Sequence, residues 1–241
     1  MINHIAGLPV HVLDDTHIFV EPGSAALWKG VGWDIDMVDF PAIYNIDMNH
    51  VGLNGRDYPG AFTSGCHYVY ALYNPTTYDK GFIASLAIRF NDVVAPPGFT
   101  SWRKLMYGQP VVGGRCLPVH ATAWPQPSVR FTDSDAVLSV ATIGPRGQWV
   151  AINLAGYIPE NSRLGVFAGR IAGTSGSMWI SPVVNVPNPY WKALLEKQVG
   201  DSGDVACRVD GAQTVFVWVD DVPYPGAAQL ILRGFDMTEV T

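Results

Sequence analysis

Short apolar or alternating segments recur along the chain, each stopped after a few residues by Gly, Pro, Asn or Asp. This is the pattern of many short strands joined by turns. Thr16 to Val20 reads as a strand between Asp14-Asp15 and Pro22-Gly23. Val31 to Val38 alternates, with Val31, Trp33, Ile35 and Met37 on one face. That phase predicts Asp34 and Asp36 on the outer face. His67 to Tyr73 follows Ser64-Gly65 and stops at Asn74-Pro75. Gly81 to Phe90 reads as a longer strand ended by Asn91-Asp92, and Trp102 to Tyr107 as another.

The second half continues in the same style. Ala136 to Ile143, Gln148 to Leu154, Leu164 to Ile171, Met178 to Val186, Val205 to Val209, Thr214 to Val219 and Gln229 to Phe235 each read as strands. Leu230, Leu232 and Phe235 put apolar residues on both faces of the last one, which predicts a central rather than a frayed strand. Pro189 to Val199 alone has a helical period, pairing Tyr190 with Leu194 and Trp191 with Leu195. Pro189 suits a first turn and Gly200 a C-terminal cap, so one short helix is expected there.

Trp124-Pro125-Gln126-Pro127 interrupts any ladder, because proline lacks an N–H and biases its neighbour to extended backbone. The expected fold is therefore all-β: antiparallel β-sandwich or jelly-roll-like domains over 1–123 and 124–241, with one short helix. No period of 20 to 50 residues marks a solenoid or propeller.

Composition adds three points. Only 15% of residues are charged, the net charge is −6, and no basic run exists. Nucleic-acid or anionic-membrane binding is not expected, since both need clustered Lys and Arg. A charge-poor surface rich in Gly and Pro suits either a compact β domain or a subunit covered in an assembly. Cys66, Cys116 and Cys207 are odd in number and widely spaced, which predicts three free thiols and a reducing compartment during folding. Met1-Ile2-Asn3-His4 shows neither the basic region nor the apolar run of a leader, and apolar runs are too short to cross a membrane as a helix.

Candidate chemistry fails on spacing or context. Gly173-Thr174-Ser175-Gly176-Ser177 lacks the second glycine of a nucleophile elbow and lies between two strands. Asp34 and Asp36, with Asp39 just beyond, could form a carboxylate cluster, but Asp34 and Asp36 sit on an alternating strand rather than in a tight calcium loop. Cys116 and His120, or Cys66 beside His67, offer no second ligand pair for zinc. Gly113-Gly114-Arg115 lacks the lysine and helix of a phosphate cradle. Asp201, Asp204, Asp220 and Asp221 fall in turns, where Asp serves backbone hydrogen bonds. Tyr68, Tyr70, Tyr73, Tyr78, Phe82, Trp102, Tyr107 and Trp124 include candidates for stacking on sugars, with core packing as the competing role. No catalytic, cofactor-binding or metal-binding residue is assigned, and no cofactor is expected.

The order of motifs carries more than any single one. Gly7-Leu8-Pro9-Val10, Thr16-His17-Ile18-Phe19-Val20 and Pro22-Gly23-Ser24-Ala25 open the chain, followed by Gly52-Leu53-Asn54-Gly55. Then come Tyr68-Val69-Tyr70-Ala71-Leu72-Tyr73-Asn74-Pro75, Gly81-Phe82-Ile83-Ala84-Ser85-Leu86 and Pro96-Pro97-Gly98-Phe99-Thr100-Ser101-Trp102-Arg103-Lys104-Leu105. Over about residues 7 to 110 this series resembles a module of tail-fibre and other virion structural proteins of tailed bacteriophages. The second half is similar to the usual companion region, ending in a strand like Leu230 to Glu239. The chain departs from long fibres in having no repetitive shaft.

The resemblance implies a virion structural protein, not an enzyme, assembled in the host cytoplasm as a fibre, tail, baseplate or capsid-decoration component. It further implies a homotrimer bound to other virion proteins, with a host-surface glycan as a candidate ligand. No nucleic acid and no membrane insertion are expected. The alternatives are a carbohydrate-binding receptor module and a glycan-cleaving enzyme.

Overall fold

The computed structural model describes residues 4–30, 34–62, 64–122, 128–131, 147–159, 162–171, 177–182, 193–196, 200–201, 205–209, 212–220 and 228–237. The chain is almost entirely β and divides into two compact units, Met1–Pro125 and Gln126–Thr241.

The first unit holds β1 (Ile5–Gly7), β2 (Val10–Val12), β3 (His17–Val20), β4 (Gly23–Trp28), β5 (Ile35–Phe40) and β6 (Tyr44–Asp47). It continues with β7 (Gly55–Arg56), β8 (Gly65–Tyr73), β9 (Lys80–Ser85), β10 (Ser101–Val112), β11 (Arg115–Cys116) and β12 (Val119–Thr122). The larger sheet runs β1-β4-β10-β8-β9-β7, with β5 on β4 and β11 on β10. All of its pairs are antiparallel except β7 with β9. A second sheet runs β2-β3-β6.

Register explains how the larger sheet is covered. Tyr68, Tyr70 and Leu72 share one face with Ile83, and all four are buried in one cluster. The segment between β9 and β10 lies over it as a strap, with Ile88, Phe90, Val93, Ala95 and Phe99 packed down. On the opposite face Phe82 meets Phe40 at 4.8 Å and Tyr44 of the second sheet at 5.2 Å. Tilted and edge-on contacts of this kind are the favoured geometry for packed rings. The two sheets thus form a sandwich within this unit.

Three expectations are corrected here. The strand expected from Gly81 to Phe90 ends at Ser85, and Phe90–Asp92 form a 3-10 turn. The Ser85 hydroxyl takes the Ala87 N–H, and the Tyr70 hydroxyl donates to the Ala87 carbonyl. Those bonds turn the chain out of the ladder and into the strap. The strand expected from Val31 starts at Ile35, with residues 31–33 outside the described set. Its phase is also the reverse of the expectation: Val38 and Phe40 are buried, whereas Met37 is 58% exposed. Asp36 shares the inner face and is tolerated at the strand's end because Lys29 and Ser101 engage it.

The second unit holds β13 (Ser128–Phe131), β14 (Trp149–Asn153), β15 (Ser162–Ile171), β16 (Ser177–Ser181), β17 (Ala193–Glu196), β18 (Gly200–Asp201), β19 (Val205–Arg208), β20 (Thr214–Asp220) and β21 (Ala228–Met237). One sheet places β21 between β13 and β15, with β18 and β19 on the far side of β15. The other runs β14-β20-β16-β17. Val215, Val217 and Val219 of β20 alternate inward and meet Met178 and Ile180 of β16.

The C-terminal strand is central, as its two apolar faces predict. Leu230, Ile231, Leu232 and Phe235 are all buried. A register shift opposite Val166/Phe167 leaves Arg233 as the extra residue, so burial changes phase between Leu232 and Phe235. Gly165 is required beside this bulge: a Cβ there would lie 2.4 Å from the Phe167 ring.

The helix expected over Pro189 to Val199 is not formed at Ala193–Glu196, which is β17 and pairs with β16. An apolar run with a free sheet edge to join gains more from cross-strand pairing than from a local helical period. The rest of that span, and the strand expected over Ala136 to Ile143, lie outside the described residues.

Candidate functional site

Most candidates from the sequence are structurally accounted for. Tyr68, Tyr70 and Phe82 are core residues, while Tyr73 and Trp102 are half-buried. Trp102 is stacked on Phe90 at 4.3 Å and touches Trp28 edge-on at 5.1 Å. Tyr78 is exposed, at a positive φ of 65° in the turn that Asn74 organises. Arg115 is held by Asp15 at 2.9 Å, and Gly113 and Gly114 form a positive-φ turn between β10 and β11.

Asp34 and Asp39 are exposed, and Asp36 accepts the Ser101 hydroxyl at 2.6 Å and pairs with Lys29 at 3.1 Å. Among the described residues no group of three metal-ligating side chains converges. Cys66, Cys116 and Cys207 are free thiols. Burial pushes all three up, Cys116 and Cys207 to about 12, which suits inert packing rather than nucleophilic or ligand chemistry. Cys207 and Val209 face the core, as the alternation predicts. Ser175, Asp204, Asp221 and Trp124 lie outside the described residues. Ser177, Asp201 and Asp220 are placed only as strand-end positions on β16, β18 and β20, Tyr107 on β10 and His120 on β12.

Among the described residues a dense buried polar constellation surrounds His67, which the sequence offered only as a zinc ligand beside Cys66; its other polar members were not singled out as candidate site residues. Asn54 adopts φ 60° and bonds Phe82 twice, through its own N–H and through its side-chain oxygen. That pairing sets the short strand β7 against β9, with Arg56 opposite Ala84. Arg56 and Asp57 then point to opposite faces of the sheet, and both are buried.

On the inner face, the Arg56 guanidinium donates to the Gly60 carbonyl at 2.9 Å and the Ala61 carbonyl at 3.2 Å. It lies 4.7 Å from the centre of the Tyr58 ring. The Tyr58 hydroxyl meets Nε2 of His67 at 2.6 Å, and the Phe62 ring lies 5.7 Å from the imidazole. His67 is fully buried, opposite buried Gln109 of β10. Arg56 Nε and the Gln109 side-chain oxygen have no protein hydrogen-bond partner, whereas the Gly65 backbone lies against the His67 ring. Burial is the main cause that lowers the His67 pKa to about 4. The Gly65 backbone opposes that shift and the Arg56 charge adds to it. His67 is therefore neutral near pH 7.

On the strap face, Asp57 accepts the Ser85 hydroxyl at 2.6 Å and the Val94 N–H at 3.3 Å. Lys104 donates to the Ile88 carbonyl at 3.1 Å, and burial lowers its pKa. Two adjacent residues of opposite charge thus fasten two different loops, one on each face.

An Asn-Gly-Arg-Asp run after a turn signal was the available clue, but its partners His67, Ser85 and Gln109 are distant in sequence. The constellation is enclosed by its own loops, and its groups are engaged mostly with backbone. It fastens the loops on the two faces of the sheet. The fold and site together define an all-β protein of the sandwich class. Comparison with protein-family models and with curated proteins finds no match.

Proposed function

We propose that the chain is a structural protein of a tailed-bacteriophage virion, assembled as a homotrimer, which holds neighbouring virion proteins or presents a surface to the host. The observation that carries this reading is the ordered series of motifs between Gly7 and Leu105. The all-β architecture is in keeping with it. So is a surface poor in charge on which Leu13, Met37, Ile43 and Val94 each present more than half of their area. Exposed apolar side chains on a charge-poor β protein suit burial between subunits.

The reading gives the chain no catalytic role. A host-surface glycan is its second partner, with Tyr78 and Trp28, exposed among the described residues, as rings that would meet a sugar. Light scattering at micromolar concentration tests the assembly. The expected mass is three times that of the 26.2 kDa chain. A stable monomer that also fails to associate in the particle would refute the reading.

A further inference from the structure

The inner-face constellation has a property that the strap-face fastening lacks: an imidazole buried beside a guanidinium. Tyr58 and Phe62 turn inward over His67, while Pro59, Gly60 and Ala61 form an exposed tip between them. The contacts that hold this segment include the Tyr58–His67 bond, the stacking of the two rings at 5.8 Å, the Phe62 ring against the imidazole at 5.7 Å, and the Arg56 bonds to the tip carbonyls.

The groups around His67 are Arg56 on β7, Tyr58 and Phe62 in the loop, Cys66 beside it on β8 and Gln109 on β10. Asp57, the nearest carboxylate in sequence, serves Ser85 and Val94 on the opposite face. Among the described residues no carboxylate pairs with His67 or Arg56. A proton on the imidazole would create a second buried cation beside the guanidinium, with no anion to offset it. Buried charge without a partner is relieved by admitting water. The piece that can move to admit it is the short loop, because the strands on the other sides are laddered.

We propose that Tyr58–Phe62 is an acid-released flap, held shut over neutral His67 and opened when that ring takes a proton. The inference stands apart from the virion reading and needs no partner. Protonation and opening are one linked equilibrium, so each favours the other.

Hydrogen exchange of the full chain tests it, comparing about pH 7 with about pH 4.5 after correction for intrinsic exchange rates. In the wild type, the Tyr58 and Phe62 amides should exchange on the order of tenfold or more faster in acid after that correction, while the Asp57 amide, bonded to the Ala84 carbonyl, and those of β8 and β9 stay protected. His67→Gln cannot take a proton, so its loop should exchange alike at both pH values. Equal acid opening in that variant, or no opening in the wild type, would overturn the proposal. If His67→Gln does not fold, NMR titration of the wild type decides. The His67 ring and the loop amides should shift with one common midpoint, and separate midpoints would overturn the flap.

Discussion

The two loops that cover the larger sheet of the first unit are held by different forces. The strap between β9 and β10 packs five apolar side chains onto Tyr68, Tyr70, Leu72 and Ile83, with hydrogen bonds to Ala87, Ile88 and Val94 added. The 57–62 loop is too short to bury comparable area. It relies on one guanidinium, one hydroxyl and one imidazole. Apolar burial is indifferent to protonation, whereas a hydrogen-bonded buried ring is not. The strap should therefore fail through loss of packing, and the short loop through a change of charge.

The largest effect should come from Tyr70→Ala. Tyr70 is fully buried, packs against Phe90 at 5.6 Å and donates to the Ala87 carbonyl. Truncation removes the floor of the strap and should cost about 3–5 kcal/mol in denaturant unfolding. The Tyr58–Phe62 loop should stay closed at neutral pH wherever the variant remains folded.

A smaller effect should appear with pH. His67 is lowered in the folded state to about 4, from an unperturbed value of 6.5. Between those values the unfolded chain binds a proton that the folded chain does not, so stability rises with pH across that window. Acidifying from about 6.5 to about 4 should cost on the order of 3 kcal/mol, with no further loss from this group below the folded value. Urea titrations at several pH values would measure it. Tyr70→Ala should show the same slope as the wild type, because the two loops are fastened on opposite faces. A steeper or vanished slope would show that they act as one.

Much of the fold was legible because strand alternation and turn residues are local signals. Cys207 and Val209 faced inward as read, and Leu230 to Phe235 proved central. The errors came where non-local partners override a local pattern. Asp36 could turn inward because Ser101, distant in sequence, supplies a hydroxyl. Ala193–Glu196 became a strand because β16 offers an edge. The polar constellation was illegible for the same reason: His67 faces Gln109 only through the β8–β10 register, and Asp57 meets Ser85 only through β7 and β9. Nothing in the neighbourhood of Arg56 along the chain announces those partners.

The virion reading is tested most directly by imaging purified particles of the phage that, on that reading, encodes the chain, with this chain labelled. Density from the label at a regular, symmetry-related set of positions on tail, baseplate, fibre or capsid is the predicted result. Particles that are complete and infective without the chain, and carry no label when it is supplied, would contradict the reading.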